Sequence, residues 1–318
     1  MDVRGGKSVW ASSNLSTWNV GENDALAEVV QNWSRSLRKL STKDLLSSAE
    51  KGGYAVGAFN VYNLEGIEAV VAAAEAEKSP AILQIHPGSL KLGGPLLISC
   101  CISAAEEASV PISVHFDHGM SKQELLEVLD MGVDSVMVDG SQFAYKENLQ
   151  YTKYISSMAH SRNMMVEAEL GRLSGTEDDL TVEDYEAKLT DLRQAREFIN
   201  ETRIDALAVC IGNVHGNYPA SGPNLKLDLL KDLHALALET GVYLVLHGAS
   251  GLSSELVKEC IRLGVRKFNV NTEVRNAYLD VLRKNSYKDL VHIMESAKVA
   301  MKMVVVEKMR LFGSAGKA

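Results

Sequence analysis

The 318-residue sequence is poor in several features that would define common kinds of protein. It has four cysteines, Cys100, Cys101, Cys210 and Cys260, with no Cys-x-x-Cys pair. That is too few and too irregular for a disulfide framework, and it points to buried thiols in a reducing compartment. Uninterrupted apolar runs fall short of the roughly 18–20 residues that a membrane span needs, and the N-terminus has no apolar block of the signal-peptide kind. The expectation is a cytoplasmic chain with no membrane partner, whose sequons at Asn14, Asn32 and Asn200 carry no sugar. Positive charge is scarce too: 33 Lys and Arg stand against 41 Asp and Glu, a net charge of −8. No basic surface is on offer to nucleic acid.

What the sequence does have is apolar mass, 46% hydrophobic residues, enough for a large core. Residues 1–40 read as an N-terminal extension. A polar Gly, Ser and Asn lead is followed by Leu26, Val29, Val30, Trp33, Leu37 and Leu40 at helical spacing. This helix either caps a barrel, packs on another subunit or serves as a linker.

Residues 41–318 read as one domain in which short β-rich runs alternate with helical patterns. The strand candidates are Ala55 to Asn60, Ala81 to Pro87, Ile112 to His118, Ser135 to Asp139, Met165 to Leu170, Ala206 to Ile211, Tyr243 to His247 and Lys267 to Asn271. Helical spacing follows, as over Leu64 to Lys78 and Leu125 to Met131. Eight such units in about 230 residues fit an α/β fold of the (β/α)8 TIM-barrel type, with additional N-terminal and C-terminal helices. The competing open doubly wound sheet would place Gly-x-Gly-x-x-Gly after its first strand, and that motif is missing there. Ser286 to Phe312 reads as terminal helices with Leu290, Ile293, Ala297, Val304 and Met309 as apolar contacts.

The reactive residues fall at the C-terminal ends of the strand candidates, the face where barrel enzymes build their sites. His118, His215 and His247 follow strands three, six and seven, each next to glycine. Three neutral imidazoles at one barrel mouth suit a zinc-type ion with an open fourth position. His115 is expected behind them, and His86 either touches substrate or fills space. Asp117, beside His118, is placed to act as a general acid or base, or to orient a ligand histidine. Asp139 and Glu169 would hold a second cation or hydrogen-bond the histidines. Glu169 to Leu180 contains glycines flanking acids, and from spacing alone it reads as a solvated acidic loop rather than a catalytic one carrying Glu177.

The last two loops offer a phosphate cradle, Gly248-Ala249-Ser250 and Asn269-Val270-Asn271-Thr272 ahead of a helix, with Gly216 allowing close approach. Chemistry beside a carbonyl needs an electron sink, either a metal or a lysine Schiff base. Lys267, read as the start of strand eight, is expected at the opposite mouth, which leaves the metal. Gly248-Ala-Ser-Gly251 lacks the spacing of a serine nucleophile elbow. Metal-dependent hydrolysis and a catalytically dead sugar-phosphate-binding protein remain open on these residues.

The motifs Ala58-Phe-Asn60, Val114-His-Phe-Asp-His-Gly119, Val166-Glu-Ala-Glu-Leu-Gly171, Gly175-Thr-Glu-Asp-Asp179, His215-Gly216, Leu246-His-Gly-Ala-Ser-Gly-Leu252 and Phe268-Asn-Val-Asn-Thr-Glu273 occur in this order. Over residues 41 to 312 the chain resembles the class II, zinc-dependent ketose-bisphosphate aldolases of the fructose- and tagatose-bisphosphate type. The resemblance implies reversible cleavage of a ketose 1,6-bisphosphate to dihydroxyacetone phosphate and an aldehyde phosphate by a homodimer or homotetramer. It further implies Zn²⁺ on His118, His215 and His247, with Asp117 moving the C4-hydroxyl proton and Glu177 the C3 proton. Gly216, Gly248, Ala249, Ser250, Asn269, Val270, Asn271 and Thr272 would hold the phosphate and diol, with a monovalent cation (Na⁺ or K⁺) nearby. Asp139 and Glu169 match positions where some members bind a second divalent ion. The sequence departs from the family's pattern at His86, Pro87, Asn213 and Asn217, all expected at the substrate end, and Arg310 is the candidate for the distal phosphate. Fructose and tagatose are not distinguished by these residues.

Overall fold

The computed structural model describes residues 40–177, 180–183, 187–216, 218–284 and 289–318. The side chains of Glu177, Leu180 and Thr181 lie outside that description, as do the stripe Leu26 to Leu37, the sequons Asn14 and Asn32, and Asn217.

Eight parallel strands close into a barrel. They are β1 (Val56–Asn60), β2 (Ala81–Ile85), β3 (Ile112–Gly119), β4 (Ser135–Val138), β5 (Met165–Leu170), β8 (Ala206–Val209), β10 (Tyr243–Leu246) and β11 (Val265–Val270). Around the barrel their order is β1-β11-β10-β8-β5-β4-β3-β2. Closure is made where β1 pairs with β11, Val56 opposite Lys267 and Ala58 opposite Asn269. The remaining strands, β6 (Ser174–Glu177), β7 (Leu180–Val182) and β9 (Val214–His215), form a separate small sheet in the order β7-β6-β9. The expected solvated loop after β5 is therefore in part a hairpin, and its first strand runs parallel to the strand that carries His215.

The helices are α1 (Thr42–Gly52), α2 (Leu64–Glu77), α3 (Pro87–Glu107), α4 (Lys122–Leu129), α5 (Tyr145–His160), α6 (Leu192–Thr202), α7 (Leu227–Thr240), α8 (Ser254–Arg262), α9 (Thr272–Arg283) and α10 (Leu290–Phe312). Short polar residues start several of them by accepting a backbone N–H that the first turn leaves unpaired: Asn63 before α2, Ser121 before α4, Asp191 before α6 and Ser253 before α8. Ser41 and Asp44 cap α1 reciprocally.

Helix α3 qualifies the expectation that no segment reaches membrane-span length. Its 21 residues have a mean hydropathy of 1.3 over an 18-residue window. It breaks at Gly94 (φ 62°, ψ −167°), just before Pro95, where the ring removes a backbone donor, and Ile98, Cys101 and Ala105 of its second half pack into the core. In α10 the stacked rings of Phe268 and Phe312, 4.8 Å apart, tie the helix end to β11. Ala297 and Met309 are buried as expected, whereas Leu290, the first residue of the helix, is exposed. The four cysteines are free, and burial pushes the Cys210 thiol up to about 11, so it stays protonated at neutral pH.

Strand alternation divides the side chains into two layers. Leu83, Val114, Phe116, Val136, Val166, Leu207, Leu244 and Phe268 face outward onto the helices in one cluster. Val56, Ala58, Ile82, Met137, Met165, Ala206, Ala208 and Val245 form a second cluster inside the barrel, closed by Leu45, Leu46 and Ala49 of α1. Above them along the same strands the interior turns polar, with Asn60, Gln84, His115, Asp117, Glu167, Glu169, Lys267 and Asn269 all buried.

Candidate metal and acid–base site

The polar interior opens on the C-terminal mouth. Alternation along β3 directs Ser113, His115 and Asp117 inward, and it would direct His118 outward. His118 instead adopts a left-handed conformation (φ 48°), and the β3–β4 register shifts between Phe116 and Gly119. That conformation costs of order 1–3 kcal/mol in a residue other than glycine. It places two consecutive reactive side chains at one mouth. His215 is brought in by β9, and Gly175 (φ 102°) permits this because a Cβ there would lie 2.1 Å from the His215 carbonyl oxygen. Gly248 plays the same part, since its Cβ would lie 2.1 Å from the Val214 carbonyl oxygen. Close backbone packing between loops thus accounts for this glycine of the expected phosphate cradle.

The three histidines converge. Each offers a ring nitrogen within 4.8 Å of the others, and all three are buried. His247 Nδ1 lies 3.1 Å from His118 Nε2. The far nitrogens are engaged: His118 Nδ1 is 2.6 Å from Asp139 Oδ2, and His247 Nε2 is 2.9 Å from Glu167 Oε1. A carboxylate behind each ring favours N–H on that side and turns a lone pair inward. Two inward lone pairs repel unless a cation lies between them, and tetrahedral coordination at 2.0–2.1 Å separates ligand nitrogens by about 3.3 Å. The donor set therefore fits a zinc-type ion.

Burial raises the Asp139 carboxyl, but the hydrogen bond and charge of His118, with donors from Ser141, outweigh it and hold the group well below the usual carboxylate range. Glu169 goes the other way: burial first, then the neighbouring Asp139 charge, push it well above that range. Its Oε2 is a buried atom with no hydrogen bond, 3.9 Å from His247 Nδ1. Asp139, Glu169 and His118 form a second group with metal-ligand spacing.

Asp117 is fully buried. Gln84 Nε2 donates to its Oδ2 at 2.8 Å and Asn269 Nδ2 to its Oδ1 at 3.2 Å, while His118 Nε2 is 3.9 Å away. Two amide donors stabilise the carboxylate and fix its plane. Asn269, expected in the phosphate loop, thus has its side chain turned into the barrel. Val270 is buried among apolar neighbours, Asn271 accepts from the Tyr62 hydroxyl at 2.7 Å, and Thr272 opens α9. Ala249 and Ser250 are buried, and Gly251 N–H donates to Glu273.

Several expectations are corrected. Lys267 does not lie at the opposite mouth: β11 begins two residues earlier, at Val265, so Lys267 sits inside the barrel. Its ammonium donates to Glu167 Oε2 and to Asn269 Oδ1, both at 2.8 Å. Arg310 pairs in a two-pronged way with Glu77 of α2 on an exposed face, which removes it from the substrate. Asn213 does not line the substrate end either. It is buried, accepting from Ile211 N–H and donating to the Val209 and His247 carbonyls, so it shapes the turn that carries His215. His86 caps α3 by accepting from Gly88 N–H, and its ring centre is 5.9 Å from that of His118. It also borders a cavity of about 570 Å³ between α3 and α4. That cavity carries Lys91 against Glu124 and Glu127, a poor balance for a second phosphate.

Glu167 and Gln84 are interior residues to which the sequence pattern gave no role, and Lys267 is one that it put at the wrong end. For Glu167 and Lys267 the signal was present as charged residues inside strands that otherwise read as buried, two apart from Glu169 and Asn269 and hence on the same face. His115 lies with them: its Nδ1 meets Ser135 Oγ at 2.7 Å, and burial with the Lys267 charge holds it neutral.

A parallel barrel with converging imidazoles and a clamped carboxylate at its C-terminal mouth defines a metal-assisted barrel enzyme. The family model described as fructose-bisphosphate aldolase class-II matches residues 40–317, and the chain belongs to that family. It is therefore an aldolase, a lyase, which sets aside hydrolysis and the dead binding protein. It is 38% identical over 292 residues to a fructose-bisphosphate aldolase of Geobacillus stearothermophilus, covering 88% of this chain and 98% of the relative. A crystal structure provisionally assigned as a fructose-1,6-biphosphate aldolase of Coccidioides immitis superposes with a TM-score of 0.83 at 37% identity, covering 89% and 98% of the two chains. The YdjI aldolase of Escherichia coli superposes at 0.76 with 34% identity, covering 88% and 99%.

Proposed function

We propose that this aldolase reversibly cleaves a ketose 1,6-bisphosphate of the fructose or tagatose type to dihydroxyacetone phosphate and an aldehyde phosphate, with Zn²⁺ held by His118, His215 and His247. The observation that carries this reading is the 3.1 Å approach of two inward imidazole nitrogens whose far sides are held by Asp139 and Glu167. Zn²⁺ bound there supplies Lewis-acid polarisation of a carbonyl, the electron sink that C–C cleavage beside a ketone requires.

The chain's own groups do the rest. In cleavage Asp117 accepts the C4-hydroxyl proton as the C3–C4 bond breaks, the electron pair goes to C3, and the C4 carbonyl leaves as the aldehyde. Glu177 then delivers a proton to C3; its backbone lies two residues beyond Gly175, which pairs with His215. Condensation runs these transfers in reverse. Gly216, Gly248 to Ser250 and Asn269 to Thr272 hold the phosphate and diol, aided by the N-terminus of α9. A monovalent cation near that phosphate, a second divalent ion on Asp139 and Glu169, a homodimer or homotetramer, a cytoplasmic location and the two-part division at residue 40 belong to the same proposal.

The test is cleavage of fructose and of tagatose 1,6-bisphosphate by zinc-loaded protein, reading dihydroxyacetone phosphate by coupled reduction. Turnover of at least one, abolished by a chelator and restored by zinc, is expected. Zinc-loaded protein that cleaves neither would overturn the substrate assignment.

A further inference from the structure

Lys267 is a fully buried cation that the reaction scheme above does not use. Its two acceptors lead in different directions. Glu167 takes one oxygen to Lys267 and the other to His247 Nε2, and Asn269 presents its oxygen to Lys267 and its NH₂ to Asp117. One ammonium therefore stands at the centre of a chain running from His247 to Asp117.

Donor and acceptor inventories make this arrangement directional. An ammonium has three donors and no acceptor, so Asn269 must turn its carbonyl oxygen toward Lys267. The amide NH₂ is then left for Asp117. Without the ammonium the amide oxygen loses its partner, and the side chain is fixed only by its bond to Asp117. By the same logic Glu167 Oε2 is held by Lys267, which leaves Oε1 for the Nε2–H of His247 and turns the Nδ1 lone pair inward. His115, Asp117 and Glu167 also lie at metal-ligand spacing from one another, and the Lys267 amino group is built against this cluster through Glu167.

We propose that Lys267 is a positioning residue for both halves of the reaction, setting the tautomer of His247 through Glu167 and the donor facing Asp117 through Asn269. The proposal rests on the reading of His247 as a zinc ligand.

The experiment compares wild type with Lys267→Met/Glu167→Gln, which removes both buried charges at nearly constant volume, and with Lys267→Arg, which keeps a donor-only cation. Zinc affinity is read by competition with a chromophoric chelator, coordination by the absorption bands of the Co²⁺-substituted protein, and turnover by kcat and KM. The double variant is expected to keep its circular dichroism and cooperative melting, to lose about 10–100-fold in zinc affinity and to shift the Co²⁺ bands. Its kcat falls with little change in KM, and Lys267→Arg recovers part of the affinity. Wild-type zinc affinity and Co²⁺ bands in the double variant would overturn the proposal. Where that variant fails to fold, Glu167→Gln alone decides, since unchanged affinity and bands in it overturn the proposal equally. The ligand reading is checked apart: undiminished zinc binding by His247→Ala would remove the premise rather than the positioning.

Discussion

The lower and upper halves of the barrel interior are equally buried and differ in chemistry. Below, Val56, Ile82, Met137, Met165, Ala206 and Val245 meet Leu45 and Leu46 of α1. Above, Gln84, His115, Asp117, Glu167, Lys267 and Asn269 meet one another. Burying the apolar half stabilises the fold by roughly 25 cal/mol per Å² removed from water. Burying charges costs about as much as their pairing returns, and a buried ion pair replaced by apolar groups is often no loss. The contrast teaches that what the barrel interior adds to stability comes from its floor, while the upper half is a preorganised polar network whose benefit appears in chemistry. One hydroxyl joins the halves: Ser135 Oγ meets Thr42 of α1 at 2.9 Å and His115 at 2.7 Å.

This contrast can be broken from either side. The largest effect is expected above: Asp117→Ala should lower kcat for ketose bisphosphate cleavage by about 10²–10⁴ while the thermal midpoint stays near that of wild type. A lost midpoint with modest kinetic change would reverse the roles assigned to the two halves. Below, Leu46→Ala opens a cavity in the floor and should cost about 2–5 kcal/mol in denaturant unfolding, with kcat and KM of the folded protein unchanged.

A smaller effect belongs to the outer edge of the floor, where Asp205 accepts from Lys43, His160 and Val166 N–H. Burial raises its carboxyl, but those donors outweigh it and hold it below the usual range. A carboxylate depressed in the folded state adds stability that is present above the unfolded value of about 3.9 and is lost as pH falls through the folded one. Urea midpoints should therefore drop below about pH 4, and Asp205→Asn should flatten that drop while lowering stability at neutral pH. The smallest effect is expected at Arg310→Ala, which removes only an exposed pair with Glu77: KM for either bisphosphate stays unchanged. A rise in KM would return Arg310 to the substrate.

Much of this was legible in the sequence because the barrel writes its active face into one kind of position. His118, His215 and His247 end strands, and strand ends are found from β-rich runs bounded by glycine. The registers inside the barrel were harder. Placing the start of β11 at Lys267 instead of Val265 moved a central lysine to the rim, and a shift of two residues is within what a pattern of buried strands leaves open, because a strand covered on both faces shows no clean alternation. The hairpin of β6 and β7 was hidden for a different reason. Its polar Ser174-Gly-Thr-Glu177 takes strand geometry from pairing with β9, a partner about 40 residues away that local propensity cannot see. The left-handed turn at His118 was equally invisible, since histidine at positive φ is set by the packing around it.

The central claim, that the polar half of the interior exists to form and protonate a carbanion beside a carbonyl, is tested most directly by proton exchange. Zinc-loaded protein is incubated with dihydroxyacetone phosphate in D₂O and followed by NMR, with a chelated control and the Asp117→Ala variant. The predicted result is stereospecific loss of one C3 proton, abolished by the chelator and retained in part by Asp117→Ala, which has lost cleavage. Absence of exchange in protein that binds both zinc and the phosphate would contradict the account.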